Sequence, residues 1–374
     1  PLEDLVIQDG VIVTPIIKGG SVSLVALDET TGQIKWCYGN MNSSEGDESL
    51  MRFKSAPAVG PGAVYANYNL DNIKGDTHID TEYGVIAFEI TTGRVKWRRQ
   101  VCRLQPGKFD GEFNTNVRRN RIRSFFTPPL YHEGTVYIST NSGAVAAMDS
   151  LSGRIKWLMR YPYYGSVHDL SRQFGGPWGS AGNNAAKLAE PAFWFNQRPL
   201  VVDENLYVLP VNSPFMLCLD RKTGKVNWTF SKPTSGFEYF LGPMSTGELV
   251  ISGNGRSTVG EWGRSVHPAY LLDPKTGKIT WKAPDIVIPE THPVLTFASK
   301  LGRPGEWCNV NAAEFQTAAR PFLTNDDKLI MSAWSNISVN DYFMQIFAIG
   351  EIDLKNKKML AQRRFYPGSV LSWA

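Results

Sequence analysis

At 374 residues, 42% hydrophobic and with a net charge of +4, the chain can build a packed core and is too nearly neutral for its overall charge to point to nucleic acid or a membrane surface. No apolar run reaches about 18 residues, which excludes a membrane-spanning helix. The four cysteines (Cys37, Cys102, Cys218, Cys308) form no CxxC, CxxCH or adjacent pair, which excludes thioredoxin-like chemistry, c-type haem attachment and zinc ribbons and leaves isolated, mostly buried thiols.

The chain starts at Pro1 in what reads as strand sequence, so a mature or trimmed form is expected. A tight QDG turn leads into ALDETTGQIKW (Ala26–Trp36): an alternating strand ending in an acid, a turn closing on Gly, and a strand carrying Trp36. A long connection, Gly39–Lys54, precedes the strand pair SAPAVGPGAVYANY, and Asn67–Tyr83 reads as a second long loop holding the acidic stretch DNIKGDTHIDTEY. The same eleven-residue unit returns as AFEITTGRVKW with Trp97, AMDSLSGRIKW with Trp157, CLDRKTGKVNW with Trp228 and LLDPKTGKITW with Trp281. A worn sixth copy, EIDLKNKKMLA (Glu351–Ala361), lacks both the Gly and the Trp. Between the units lie further hairpins, TPPLYHEGTVYIST, RPLVVDENLYVLPV and ARPFLTNDDKLIMS, and four more long stretches: Arg103–Phe126, Tyr161–Arg198, Gly253–Pro268 and Ala283–Arg320.

Self-similarity at this spacing, with four short strands per repeat and no helical periodicity, predicts an all-β propeller of four-stranded antiparallel blades. Six blades are counted, or seven or eight if the two longest inserts hide degenerate ones, in a single domain over 1–374. Gly supplies the positive φ of each turn, the acid accepts from the turn's own N–H groups, and a large indole at a fixed place in each repeat reads as inter-repeat packing.

Strand direction alternates, so the tight A–B and C–D turns share one face of the blades while every long connection falls on the other. That face carries His78, His168, His267 and His292, with Asp76, Asp80, Asp169 and Glu261 close to three of them in sequence. Asp76, Asp80, His78 and His292 are candidate cation ligands, since carboxylates suit hard cations and imidazole suits transition metals; a solvated acidic loop is the alternative. Arg119 and Arg121, in NTNVRRNRIR, offer guanidinium forks for a carboxylate-rich ligand or an acidic partner, or are solvated along an exposed strand. Trp178, Trp262 and Trp307 can stack on a flat ligand or plug the mouth of the blades.

The A-x-D-x-x-T-G-x-x-x-W pattern resembles the tryptophan-docking motif of the quinoprotein (PQQ-like) β-propeller superfamily, matching in five blades and poorly in the sixth. Members with this motif usually have eight blades. The superfamily includes PQQ-dependent dehydrogenases and non-catalytic assembly scaffolds, and fold does not choose between them. One expectation is therefore an oxidoreductase holding PQQ with a calcium-type cation. Trp178, Trp262, Trp307, Arg119 and Arg121 would bind the cofactor, and Asp169 or Glu261 would be the base, oriented by His168 or His267. The adjacent Cys-Cys pair of many dehydrogenases in the superfamily is absent. The alternative is a scaffold that docks partner proteins through the same face, where Trp194, Phe193, Phe195, Tyr163 and Tyr164 would serve. Clustering of His with carboxylates favours the ligand-binding reading. The resemblance also implies an exported, periplasmic or extracellular protein.

Overall fold

The computed structural model describes residues 5–18, 21–39, 51–53, 55–74, 77–104, 127–140, 143–161, 197–210, 213, 215–231, 235–256, 269–283, 311–312, 316–317, 321–339 and 342–365. The described residues form strands and turns arranged as six antiparallel sheets, each a meander of neighbouring strands. The first holds β1 (Val6–Gln8), β2 (Val11–Lys18), β3 (Ser21–Asp28) and β4 (Ile34–Tyr38). The second holds β5 (Met51–Arg52), β6 (Ala58–Gly60), β7 (Ala63–Lys74), β8 (Thr77–Glu89) and β9 (Val95–Leu104). The third runs from β10 (Leu130–His132) through β11 (Thr135–Ser139) and β12 (Ala144–Asp149) to β13 (Ile155–Arg160). The fourth holds β14 (Leu200–Val202), β15 (Asn205–Val208), β16 (Phe215–Asp220) and β17 (Val226–Ser231).

These four sheets belong to one compact unit, and the last two belong to a second. The fifth sheet holds β18 (Ser235–Pro243), β19 (Leu249–Arg256), β20 (Ala269–Leu272) and β21 (Ile279–Lys282). In the sixth, β22 (Asn311–Ala312), β23 (Gln316–Thr317) and β24 (Phe322–Leu323) all pair with β25 (Lys328–Val339), followed by β26 (Tyr342–Asp353) and β27 (Lys358–Phe365). Each sheet has the four-stranded plan of a propeller blade.

Both faces of a sheet are buried, so strands carry apolar residues at consecutive positions. On β12, Ala146 and Met148 pack with Tyr65, Val85 and Ala87 of the second sheet, while Val145 and Ala147 pack with Leu206, Leu217 and Leu219 of the fourth. Leu24, Ala26 and Trp36 of the first sheet pack with Val64, Ile86 and Phe88. In the second unit, Val250 and Leu271 meet Leu329, Ile352 and Leu354.

The repeated unit is built alike each time. Trp36 lies opposite Ala26, Trp97 opposite Ala87, Trp157 opposite Ala147, Trp228 opposite Cys218 and Trp281 opposite Leu271, and the register shifts one residue later in every case. That bulge, with a left-handed Gly (Gly32 at φ 69°, Gly153 at φ 67°), lets the outer strand leave the turn in register. In the worn sixth copy the bulge persists between Glu351 and Ile352, and Lys357 takes the left-handed position at φ 56°.

The stretch Asn67–Tyr83, expected to be a loop, is mostly strand. Pairing of β7 with β8 runs without a break in the ladder's direction from Ala63↔Glu89 to Lys74↔Thr77, with a bulge between Asn72 and Ile73. Asn and Asp disfavour strands locally, yet here cross-strand pairs and ion pairs outweigh that preference. Likewise, β5 falls within 39–54, and β22 and β23 within 283–320, stretches read from sequence as connections.

Candidate functional site

The long-connection face is described best at the second sheet, where β7 and β8 continue as a hairpin past the sheet's other strands. Period-two alternation places Tyr68, Leu70 and Asn72 on one side of β7, beside Glu82 and Asp80 of β8. Tyr68 Oη donates to Glu82 Oε1 at 2.5 Å and accepts from Arg98 Nε at 3.0 Å, and the Arg98 guanidinium lies 4.8 Å from the Tyr68 ring centre. Arg98 also reaches Glu82 Oε1 at 2.8 Å, and Arg103 reaches Glu82 Oε2 at 3.3 Å and Asp80 Oδ1 at 3.6 Å. On the other side Asp71 accepts from Thr81 Oγ1 at 2.9 Å and pairs with Arg52 at 2.9 Å.

Burial opposes ionisation of Glu82, but hydrogen bonds from Tyr68 and Arg98 and the Arg98 charge outweigh it and hold the carboxyl below its ordinary range. Burial raises the Tyr68 phenol well above its usual value. Tyr68 is thus a fixed donor and Glu82 a fixed anion. Glu82 and Asp80 pair with Arg98 and Arg103 on one side of the hairpin and Asp71 with Arg52 on the other, cross-links that stiffen it, while Ile79, near its tip, is 41% exposed.

Deeper in the first unit, Arg198 Nη2 donates to the Pro57 carbonyl at 2.9 Å and Asn67 Nδ2 to the Thr127 carbonyl at 2.6 Å, tying the segment before β14 to that before β6 and strand β7 to the segment before β10. Buried Asn67 Oδ1, Asn69 Oδ1 and Ser55 Oγ have no partner among the described residues. A cleft lined by Asn67, Tyr83, Gly84, Ile138 and Thr140 adjoins the first of these, with room for about one water. Such a cleft can hold one ordered water beside Asn67; it is far smaller than a substrate pocket.

Of the residues expected to act on this face, Asp80 is described with its side chain, and it faces Arg103. His78 lies in β8 opposite Ile73. Asp76, His168, Asp169, Glu261, His267, His292, Trp178, Trp262, Trp307, Arg119, Arg121, Tyr163, Tyr164, Phe193, Trp194 and Phe195 lie outside the described residues. Among the described residues no three His, Cys, Asp or Glu side chains come together to hold a metal, and the described hairpin carboxylates, each engaged by arginine, do not form a cradle for a divalent cation or a quinone. Burial pushes the Cys102 thiol up to about 11 and the Cys218 thiol up to about 12, so both stay protonated and unreactive at neutral pH. Tyr68, Glu82, Arg98 and Arg103 were not singled out from sequence. Their signal was the alternation running through 68–72 and 80–84, hidden under turn-forming residue types.

Comparison with known proteins places these features in context. The model of a family described as outer membrane protein assembly factor BamB matches residues 2–230. A quinohemoprotein alcohol dehydrogenase, ADH IIB, of Pseudomonas putida is 28% identical over 188 residues, covering 48% of this chain and 24% of that protein. Outer membrane protein assembly factor BamB of Yersinia pestis is 28% identical over 165 residues, covering 44% of this chain and 34% of that protein. The match thus spans about a quarter to a third of the length of these relatives. Among solved structures, BamB from Moraxella catarrhalis gives a TM-score of 0.47 at 14% identity, covering 96% of this chain and 74% of that one.

Proposed function

The chain belongs to the PQQ-repeat family described as outer membrane protein assembly factor BamB, whose model matches more than half of it, and from that premise we propose that it is a non-catalytic, exported scaffold that docks a partner protein through its long-connection face. The hairpin of β7 and β8 carries this reading. Its described carboxylates, Asp71, Asp80 and Glu82, pair with Arg52, Arg98 and Arg103, which leaves them poorly placed to act as bases or cation ligands, and the arm shows an apolar side chain, Ile79, to solvent near its end. A braced arm loses little conformational freedom on docking, which favours binding.

A photo-crosslinker placed at residue 79 in the native host tests the reading. The expected result is one discrete crosslinked protein, lost when Arg98→Ala and Glu82→Ala loosen the arm. Purified protein should show neither quinone absorbance nor alcohol oxidation with an artificial electron acceptor. A stoichiometric chromophore with turnover that falls in Asp169→Asn or Glu261→Gln would establish the oxidoreductase reading instead, which the similarity to a quinohemoprotein alcohol dehydrogenase supports.

A further inference from the structure

The last strands of the six sheets, β4, β9, β13, β17, β21 and β27, carry no Asp or Glu, and all but β17 carry Lys or Arg. Cations on an edge strand keep it from pairing with another sheet. That task requires neither one sign throughout nor an exposed leucine among the charges. Both occur at the seam between the second and third sheets, inside the first unit.

Register decides which seam each cation enters. Arg98 lies opposite Ile86, which packs with the first sheet, and Arg103 lies opposite Glu82. On that side the β8 carboxylates Glu82 and Asp80 meet both arginines. Arg99 lies opposite Val85, which packs with the third sheet, so it enters the other seam. There it crosses to the neighbouring sheet: Arg99 Nε donates to the Gly153 carbonyl at 3.0 Å, close to Trp97, whose Nε1 donates to the Ser150 carbonyl at 2.9 Å. From the third sheet, Leu158 and Arg160 lie opposite Ala146 and Ala144. Ala146 packs with the second sheet, so period-two alternation brings Leu158 and Arg160 to the same seam. Leu158 is 50% exposed, and Arg99, Arg154 and Arg160 are exposed too. The described acids that border the seam are engaged locally: Glu89 with Arg94 and the Thr92 hydroxyl, Asp149 with its own turn, and Asp71 with Arg52 and Thr81. Followed along β13, the seam is positive at Arg154 and Arg99, apolar at Leu158 and positive again at Arg160.

We propose that this seam is a docking groove for an extended acidic segment of a partner polypeptide, which sets one carboxylate on Arg160, an apolar side chain on Leu158 and a second carboxylate on Arg99 and Arg154. Charge complementarity selects the acids, and the leucine selects a segment over a uniformly charged surface. Arg160 and Leu158 are two residues apart on one strand, about 7 Å, which is also the step between same-side residues of an extended partner. Arg99 is oriented in advance: the Gly153 carbonyl takes its Nε–H, and the terminal amino groups of the guanidinium can fork onto a carboxylate. The assignment rests on the second and third sheets and is independent of the assembly-factor reading and of the β7–β8 arm.

A fluorescein-labelled peptide, GEELEEGEEG, titrated against the full chain at low salt by anisotropy, tests this. Saturable binding is expected, weakened about tenfold or more for the uncharged GQQLQQGQQG and about threefold for GEESEEGEEG, which lacks the leucine. Arg154→Gln combined with Arg160→Gln, both at exposed positions, should weaken binding of the acidic peptide about tenfold, and Leu158→Ser about threefold. Lys278→Gln combined with Lys282→Gln removes the same charge from exposed positions of the fifth sheet and should leave binding unchanged. No saturable binding, equal binding of the uncharged peptide, or equal weakening by the fifth-sheet pair would each overturn the proposal. Binding to phosphatidylglycerol vesicles that needs Arg154 and Arg160, with no binding of the peptide, would assign the seam to an anionic membrane and overturn the polypeptide assignment.

Discussion

The Tyr68 oxygen donates to Glu82 and accepts from Arg98, and Gly84 opposite leaves room for the ring: a Cβ there would come within 2.6 Å of the hydroxyl. Tyr68→Phe keeps the ring under the guanidinium and removes only that oxygen. A buried hydrogen-bond junction of this kind is worth about 1–2 kcal/mol, because the partners left behind lose their bonds without regaining water. The denaturant midpoint should fall accordingly. Glu82→Gln should cost more than Tyr68→Phe, since it leaves Arg98 and Arg103 facing no carboxylate at this position. The reverse order, measured by urea unfolding, would mean that the arginines are held by solvent and not by Glu82.

At the level of the repeated element, the turn glycine is held by two demands at once. Gly153 has φ 67° and carries Trp97 where its Cβ would be. Gly153→Ala therefore combines left-handed strain with overpacking against a ring, about 2–4 kcal/mol together. Lys357→Gly is the converse experiment: a left-handed lysine in the worn turn is relieved, and the second unit should gain about 1 kcal/mol in thermal unfolding. These turns were readable from sequence because each requirement is local. The acid accepts from N–H groups two and three residues on, the glycine is sterically needed, and the tryptophan's position follows from the register. The β7–β8 hairpin was not readable, because its strand state depends on Leu70 finding Glu82, Asn72 finding Asp80 and both acids finding arginines on β9, contacts that no local propensity encodes. The histidine, carboxylate and tryptophan candidates of the long connections were chosen by residue type and proximity in sequence, and their convergence depends on a chain path that spacing does not specify.

Across the whole molecule, the carboxylates with resolved shifts move the same way, and that sets the pH behaviour. Thr31's backbone N–H, then Lys35 and the Thr31 hydroxyl, bring Asp28 down from 3.8 to about 2. Asp149 and Asp220 are lowered by the Ser152 and Thr223 hydroxyls and N–H groups, Asp273 by the Thr276 hydroxyl and the Lys275 N–H, and Asp353 by the Asn356 N–H and side chain. Because each folded value lies below its unfolded one, the unfolded chain binds more protons in the interval between them, and stability rises with pH there. This contribution is complete above the unfolded value, 3.8 for Asp, and is lost as pH falls toward about 2. Urea midpoints should accordingly be level from about pH 7 to pH 5 and drop between about pH 4 and pH 2. Asp28→Ala should flatten part of that drop while lowering the plateau, since the same N–H groups lose their acceptor at every pH. A decline that begins near pH 6 would instead implicate histidine protonation and shift attention from the repeated turns to the histidines of the long connections.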